Sequence, residues 1–359
     1  MKYRKFFFII LALNAIVLIN AQTGFSASVT YQNDSNPFHL PVASSSSITS
    51  FDFGIDQSLN ILNISYLGSY NIYHSYENAN FYWQQVALYS DSDSISWGAV
   101  FDNRINNENT SYLNYYSGSA YFKYLFEAAD IYWKINADAN IMKYKDMTDL
   151  DNYTLSLYLG GIKSFETGTT LILGTETNYK SYLNSFNLTD RNYSSDIMQL
   201  NLISRLSQRL FDNWGAAVFY TNKIILNDPS LNPLKYEMGY GDESIYYEDA
   251  KASKGYVAGT LITGIFPSDI TVRTGFNYSK ADYTSQPIYT NSEIMDFNVS
   301  RADTKYSFSI SASKGIPLTD DYSSVLNLSF DFQHINNKSN SYWFNYKTNI
   351  FSLGAEINF

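Results

Sequence analysis

His39, His74 and His334 are the chain's three histidines, and neutral imidazole suits Zn²⁺ or Cu²⁺. No pair of them stands at a ligand spacing such as His-x-x-x-His, so a site would need separate loops to meet. Histidines dispersed in this way are ordinarily solvated, and no metal is expected. Serine is abundant, but hydrolysis needs it beside a His that a third polar group orients. No Gly-x-Ser-x-Gly turn occurs. His334 beside Asn336 and Asn337 is the one starting point, and His74 has only Glu77 as an acidic neighbour. Nothing converges, so neither enzymatic activity nor a cofactor is expected.

Segment 227–251 concentrates Asp228, Glu237, Asp242, Glu243, Glu248 and Asp249 among aromatic residues. It lacks the D-x-[DN]-x-[DN]-G spacing of a Ca²⁺ loop. A solvated loop is the plain reading; a constriction folded inward or a ligand-capturing surface loop are the alternatives.

The other charges fall at alternate positions of long segments. Ile131, Trp133, Ile135, Ala137, Ala139 and Ile141 alternate with Tyr132, Lys134, Asn136, Asp138 and Asn140. Leu326, Leu328, Phe330 and Phe332 alternate with Asn327, Ser329, Asp331 and Gln333. Period two means a strand with one apolar and one polar face. On the polar faces stand Arg104, Lys134, Asp138, Glu176, Lys180, Arg205, Arg209, Arg273, Asp331 and Glu356. If the sheet closes with those faces inward, these ten residues line a wet lumen bearing both signs of charge.

The breaks between segments indicate closure. Short ones, at 91–93, 127–129, 166–168, 212–213 and 267–268, alternate with longer polar ones at 106–110, 146–151, 185–193, 227–251 and 285–293. That parity is expected of a barrel with tight turns at one end and loops at the other, and a sandwich has no reason to keep it. The segments predict a closed antiparallel transmembrane β-barrel of about sixteen strands. The first pair, 25–32 and 48–57, is the weakest because 43–50 is nearly all Ser. If 22–58 is a tail, about fourteen strands remain. Trp97, Trp133 and Trp214 should then sit at the interface on the tight-turn side, ring buried and N–H wet.

The N-terminus has the layout of a secretory signal peptide: Lys2, Arg4 and Lys5, an apolar run over 6–19, and cleavage after Ala21. The run is too short to span a bilayer, so 1–21 is expected to be removed and 22–359 to form the barrel. The chain has no Cys and 24 Lys+Arg against 34 Asp+Glu. This excludes a disulfide-stapled fold and makes nucleic acid or an anionic lipid surface a poor partner. With 33 Tyr and 24 Phe it favours strands.

Phe351, Leu353, Ala355, Ile357 and Phe359 alternate to the last residue. Here the sequence resembles the bacterial outer-membrane β-barrel superfamily, porin-like, whose last strand ends in an aromatic residue. The resemblance implies that Phe351, Leu353, Ile357 and Phe359 belong to the signal read by the barrel-assembly machinery. It also implies outer-membrane lipid as surroundings. The functional expectation is passive diffusion of small hydrophilic solutes; the alternatives are a non-conducting structural or surface-interaction barrel and an outer-membrane enzyme.

Overall fold

The computed structural model describes residues 22–148, 151–183, 196–227, 252–321 and 323–359. The expected signal peptide, nearly all of 227–251 and all of 185–193 lie outside the described residues. Sixteen strands close into a barrel. They are β1 Gln22–Asp34, β2 Ser46–Leu59, β3 Leu62–Tyr73, β4 Phe81–Asp91, β5 Ile95–Asn106 and β6 Tyr115–Ala128. β7 Ile131–Tyr144, β8 Asn152–Ser164, β9 Thr169–Tyr182, β10 Asp196–Phe211 and β11 Trp214–Ile225 follow. β12 Lys254–Phe266, β13 Ile270–Tyr289, β14 Met295–Pro317, β15 Val325–Ser339 and β16 Tyr346–Asn358 complete it. Each strand pairs antiparallel with its sequence neighbours, and β1 pairs with β16.

The register assigns the faces, because directly opposed residues point to the same side. Val29 lies opposite Phe51 on one flank and Ala355 on the other. Following those pairs round the sheet puts Phe101, Leu157, Leu173, Val218, Phe276 and Leu353 on the outside, all of them exposed. A large contiguous apolar exterior is costly in water and natural in hydrocarbon. In lipid an open edge would leave amides unsatisfied at several kcal/mol each, so closure between β1 and β16 is what makes the sheet viable.

The two ends differ as the spacing of breaks implies. At one end β6 and β7 are joined through Ala129 and Asp130, both at positive φ (54° and 55°), the condition for a two-residue hairpin turn that follows strand twist. Lys163 donates to the Asp130 carbonyl at 2.8 Å and stands 3.7 Å from its carboxylate. Beside these short turns Trp97, Trp133 and Trp214 take outward positions, with Trp214 edge-on to Phe266 at 5.3 Å. The last turn, 318–324, is longer. There Asp321 is pushed down to about 2 by the Thr319 hydroxyl and by the Ser323 amide and hydroxyl.

Two expectations need correction. The Ser-rich stretch is not a linker: it opens β2, whose pairing with β1 runs from Ser46 to Ser58, so the fourteen-strand alternative fails. Segment 285–293 is not all loop, since β13 continues to Tyr289 through a register shift between Tyr283 and Pro287.

Gly255, at φ +142°, opens β12, and a Cβ there would stand 2.0 Å from the Lys280 carbonyl oxygen. Gly255→Ala should therefore cost about 1–3 kcal/mol, read as a lower urea midpoint for the detergent-folded barrel. An unchanged midpoint would show that the β12 edge yields without strain.

Candidate functional site: the barrel interior

All ten charged residues read from the alternation take inward-facing register positions. Arg104 stands opposite Trp83, Lys134 opposite Gly160, Asp138 opposite Ser156, and Glu176 opposite Asn201. Lys180 is opposite Thr154, Arg205 opposite Phe219, Arg209 opposite Gly215, and Arg273 opposite Thr263. Asp331 and Glu356 flank the inward Ser352 and Asn327.

Their environments divide them. Arg205, Arg209, Arg273, Asp138 and Asp331 face inward and yet are exposed, so the interior around them is open to water. Arg205 Nε donates to Ser207 Oγ at 3.2 Å. Arg205 and Arg209 border a cavity of about 390 Å³ with Asp212, Trp214 and Leu261. Glu176 Oε2 accepts from Asn178 at 3.0 Å and Asn201 at 2.8 Å, which holds the carboxylate against the wall. Arg104, by contrast, is buried: its guanidinium lies 3.7 Å from the Phe81 ring centroid and Nε donates to Asn106 Oδ1 at 3.0 Å.

One sign predominates on each arc. Lys180, Arg205, Arg209, Lys223, Arg273 and Lys305 stand on β9–β14, beside the inward Glu176 and Asp303, and Asp331, Glu356, Asp52, Asp56, Asp91 and Asp102 on β15–β5, beside the inward Arg104. In a closed sheet of sixteen strands these arcs face each other. Lys223, Lys305, Asp52, Asp56, Asp91 and Asp102 were missing from the expected set; Asp91 fell in an expected break but ends β4, and the same alternation marks the others.

Toward the long-loop end the interior is packed. Segment 35–45 folds in over β1–β4, where Phe38 stacks on Tyr73 at 6.0 Å and meets Tyr76 edge-on at 4.8 Å. Asn36, 1 % exposed, ties the segment down by donating to the Leu40 and Lys347 carbonyls at 2.7 and 3.1 Å. At the same end, on β14, Arg301, 0 % exposed, pairs with Asp303 and donates to Gln286 Oε1 at 3.1 Å. Its guanidinium lies between the Tyr283 and Phe344 rings, 4.2 and 3.3 Å from their centroids. This pair sits at i and i+2 on one strand, a legible pattern that the expected set omitted.

The histidines do not meet. His39 stacks on the inward Tyr346 at 4.4 Å, His74 Nε2 lies 2.9 Å from Thr49 Oγ1, and His334 Nδ1 is 2.8 Å from Asn349 Oδ1. His334 and Asn349 stand on the outward face, whereas Asn337 points inward. Among the described residues no cluster of His and carboxylates is arranged to hold a metal ion.

No protein-family model and no curated protein matches the sequence. Solved structures do match the fold. OpdK of Pseudomonas aeruginosa, solved with vanillate, superposes with a TM-score of 0.54 at 7% identity, over 95% of this chain and 98% of that one. OccAB3 of Acinetobacter baumannii gives 0.53 at 8%, over 95% and 99%. A BenF-like porin from Pseudomonas fluorescens Pf-5 gives 0.50 at 11%, over 95% and 100%. At such identities the likeness is one of architecture: this chain has the closed, membrane-spanning barrel fold of outer-membrane porins.

Proposed function

We propose that the chain is a porin-like channel of a bacterial outer membrane that lets small hydrophilic solutes diffuse passively. The observation that carries this is the set of inward-facing yet exposed charges, Arg205, Arg209, Arg273 and Asp331. Charges on the wall of a dry barrel would be buried or paired, because an unpaired charge away from water is expensive. A barrel of this strand number has room for an aqueous path. In this reading the signal peptide is cleaved after Ala21, the short turns face the periplasm, and the path is narrowest beneath segment 35–45 and around Arg301. With basic and acidic walls face to face, selectivity between ions is weak. A small organic anion such as vanillate, present in the similar OpdK structure, has the size and charge to travel along the basic wall. Nothing convergent supports the enzyme reading.

The packed long-loop end favours a second reading, a non-conducting barrel whose loops bind a partner. Planar-bilayer recording separates the two: the channel reading expects conductance steps from folded protein. Steps absent from heat-modifiable, correctly folded protein would sink it. Changing Arg205, Arg209 and Arg273 together to Glu should move permeability toward cations by about an order of magnitude, read as the reversal potential in a salt gradient. An unmoved potential would mean that ions do not pass this wall.

A further inference from the structure

Lysine is unevenly placed on the lipid-facing side of this acidic chain. On outward strand positions at the long-loop end, Lys254, Lys280, Lys338 and Lys347 all fall on β12–β16, and all are exposed. At the same level of β1–β11, Lys143 is the one outward lysine or arginine on a described strand, with Lys145 exposed just past the end of β7. Just below the cluster lies a row of outward tyrosines, Tyr220, Tyr256, Tyr278 and Tyr306, with successive ring centroids 5.9, 5.8 and 5.1 Å apart. Tyrosine girdles of this kind mark where hydrocarbon gives way to headgroups. Lys254 and Lys280 lie two residues beyond Tyr256 and Tyr278, and Lys338 Nζ stands 5.9 Å from the Tyr306 ring centroid. The ammonium groups are therefore in the headgroup layer.

Among the described residues their counter-charges are scarce. Asp282 is the carboxylate opposite Lys254 in the register. Lys280, Lys338 and Lys347 have no carboxylate within ion-pair distance among the described residues. A lysine on a lipid-facing strand lays its stem on apolar surface and holds its charge at headgroup level, where lipid phosphate is the available anion. Thr304 lies between Lys280 and Lys338 in the register, so those two are about 10 Å apart at ordinary strand spacing. Lys347 is a diagonal neighbour of Lys338 across β15 and β16.

We propose that Lys280, Lys338 and Lys347 form a docking site for a phosphorylated glycolipid headgroup in the leaflet at the long-loop end. Their spacing lets two phosphates on one headgroup be held at once. The site rests on the barrel spanning a membrane and not on conduction, so either reading can fail without the other.

The test is the affinity of the folded, detergent-solubilised barrel for fluorescent lipid A, read by anisotropy. Lys280→Gln, Lys338→Gln and Lys347→Gln combined should weaken binding about a hundredfold, at about fivefold per lysine near an anionic headgroup. Thr304→Lys should tighten it about fivefold for the same reason. Lys143→Gln with Lys163→Gln should leave it unchanged. Inorganic pyrophosphate should not compete at equal concentration; competition would show a free-phosphate site and overturn the lipid assignment. Wild-type affinity in the triple variant would also overturn the proposal, and so would an equal loss in the Lys143/Lys163 control. If the triple variant does not fold, the Thr304→Lys arm decides alone, and no gain there overturns the proposal.

Discussion

Arg301→Met should destabilise the barrel by about 3–5 kcal/mol, the usual cost of removing one partner of a buried ion pair. Arg301 and the Asp303 side chain are 0% and 6% exposed, so solvent does not screen the pair. Without the guanidinium the Asp303 carboxylate keeps Asn337 Nδ2, at 3.3 Å, as a donor. The loss reaches the loop as well. Phe344 lies on the Arg301 guanidinium, and its carbonyl accepts from Asn337 at 2.6 Å. Ser341 Oγ accepts from the Tyr289 amide at 3.0 Å, and Asn340 Oδ1 from the Ala302 amide at 2.8 Å. Segment 340–345 is thus held to β13 and β14 by a network with Arg301 at its centre. The variant should show a lower temperature for loss of the fast-migrating form on gels and new protease cleavage within 340–345. Replacing both partners, Arg301→Met with Asp303→Leu, should restore most of the stability, because the orphaned charge is gone. A single variant that melts like wild type would show that the pair contributes nothing. A double variant no better than the single would assign the cost to lost ring stacking.

The strands were legible because lipid imposes one rule on every outward position, and alternation records it residue by residue. Leu155, Leu157 and Leu159 against Thr154, Ser156 and Tyr158 need no tertiary information to be read. The rule weakens where a strand leaves the apolar band, and there the reading was least secure. At the loop end of β2 the outward residues are Ser47 and Thr49, and Ser47 Oγ lies 2.8 Å from the Tyr31 hydroxyl. That serine is pairing with a strand above the hydrocarbon, yet by composition it looks like linker. The same holds for β13 beyond Tyr283, which runs on in polar sequence across a register shift. The interior was legible by face but not by state. Arg104 and Arg205 obey the same alternation, yet one is buried against Phe81 and the other is wet. What separates them is height in the barrel and the infolding of segment 35–45. Both depend on contacts between residues far apart in the chain, which no local spacing encodes.

Deleting Phe359 should lower the folded barrel in outer-membrane extracts several-fold, the scale on which a loss of about 1–2 kcal/mol changes abundance. Phe359→Asp should do the same, whereas Phe332→Tyr, on the same outward face of β15, should leave the level near wild type. The alternation from Phe351 leaves Phe359 outward, at 57% exposure, where an aromatic ring fits the interface and a carboxylate does not. The geometry adds a reason that alternation alone did not supply. Phe359 N donates to the Phe25 carbonyl at 2.9 Å, and Phe25 N donates to the Phe359 carbonyl at 3.2 Å. The last residue therefore makes the final rung of the β1–β16 seam, the pairing that turns an open sheet into a barrel. Contacts across this seam join the two ends of the chain, so their loop-closure cost falls late in folding. Until the seam forms, both edge strands offer unpaired amides to water, to proteases and to other chains. A role limited to side-chain burial, about 1.5–3 kcal/mol for a fully buried ring, would make Phe359→Leu nearly silent and Phe359→Asp mild. A role in recognition and seam closure would make the deletion and the Asp variant fail together while Phe359→Leu retains part of the level. Measuring the heat-modifiable fraction of each variant decides between them, and a deletion that folds to wild-type levels would remove Phe359 from the assembly signal.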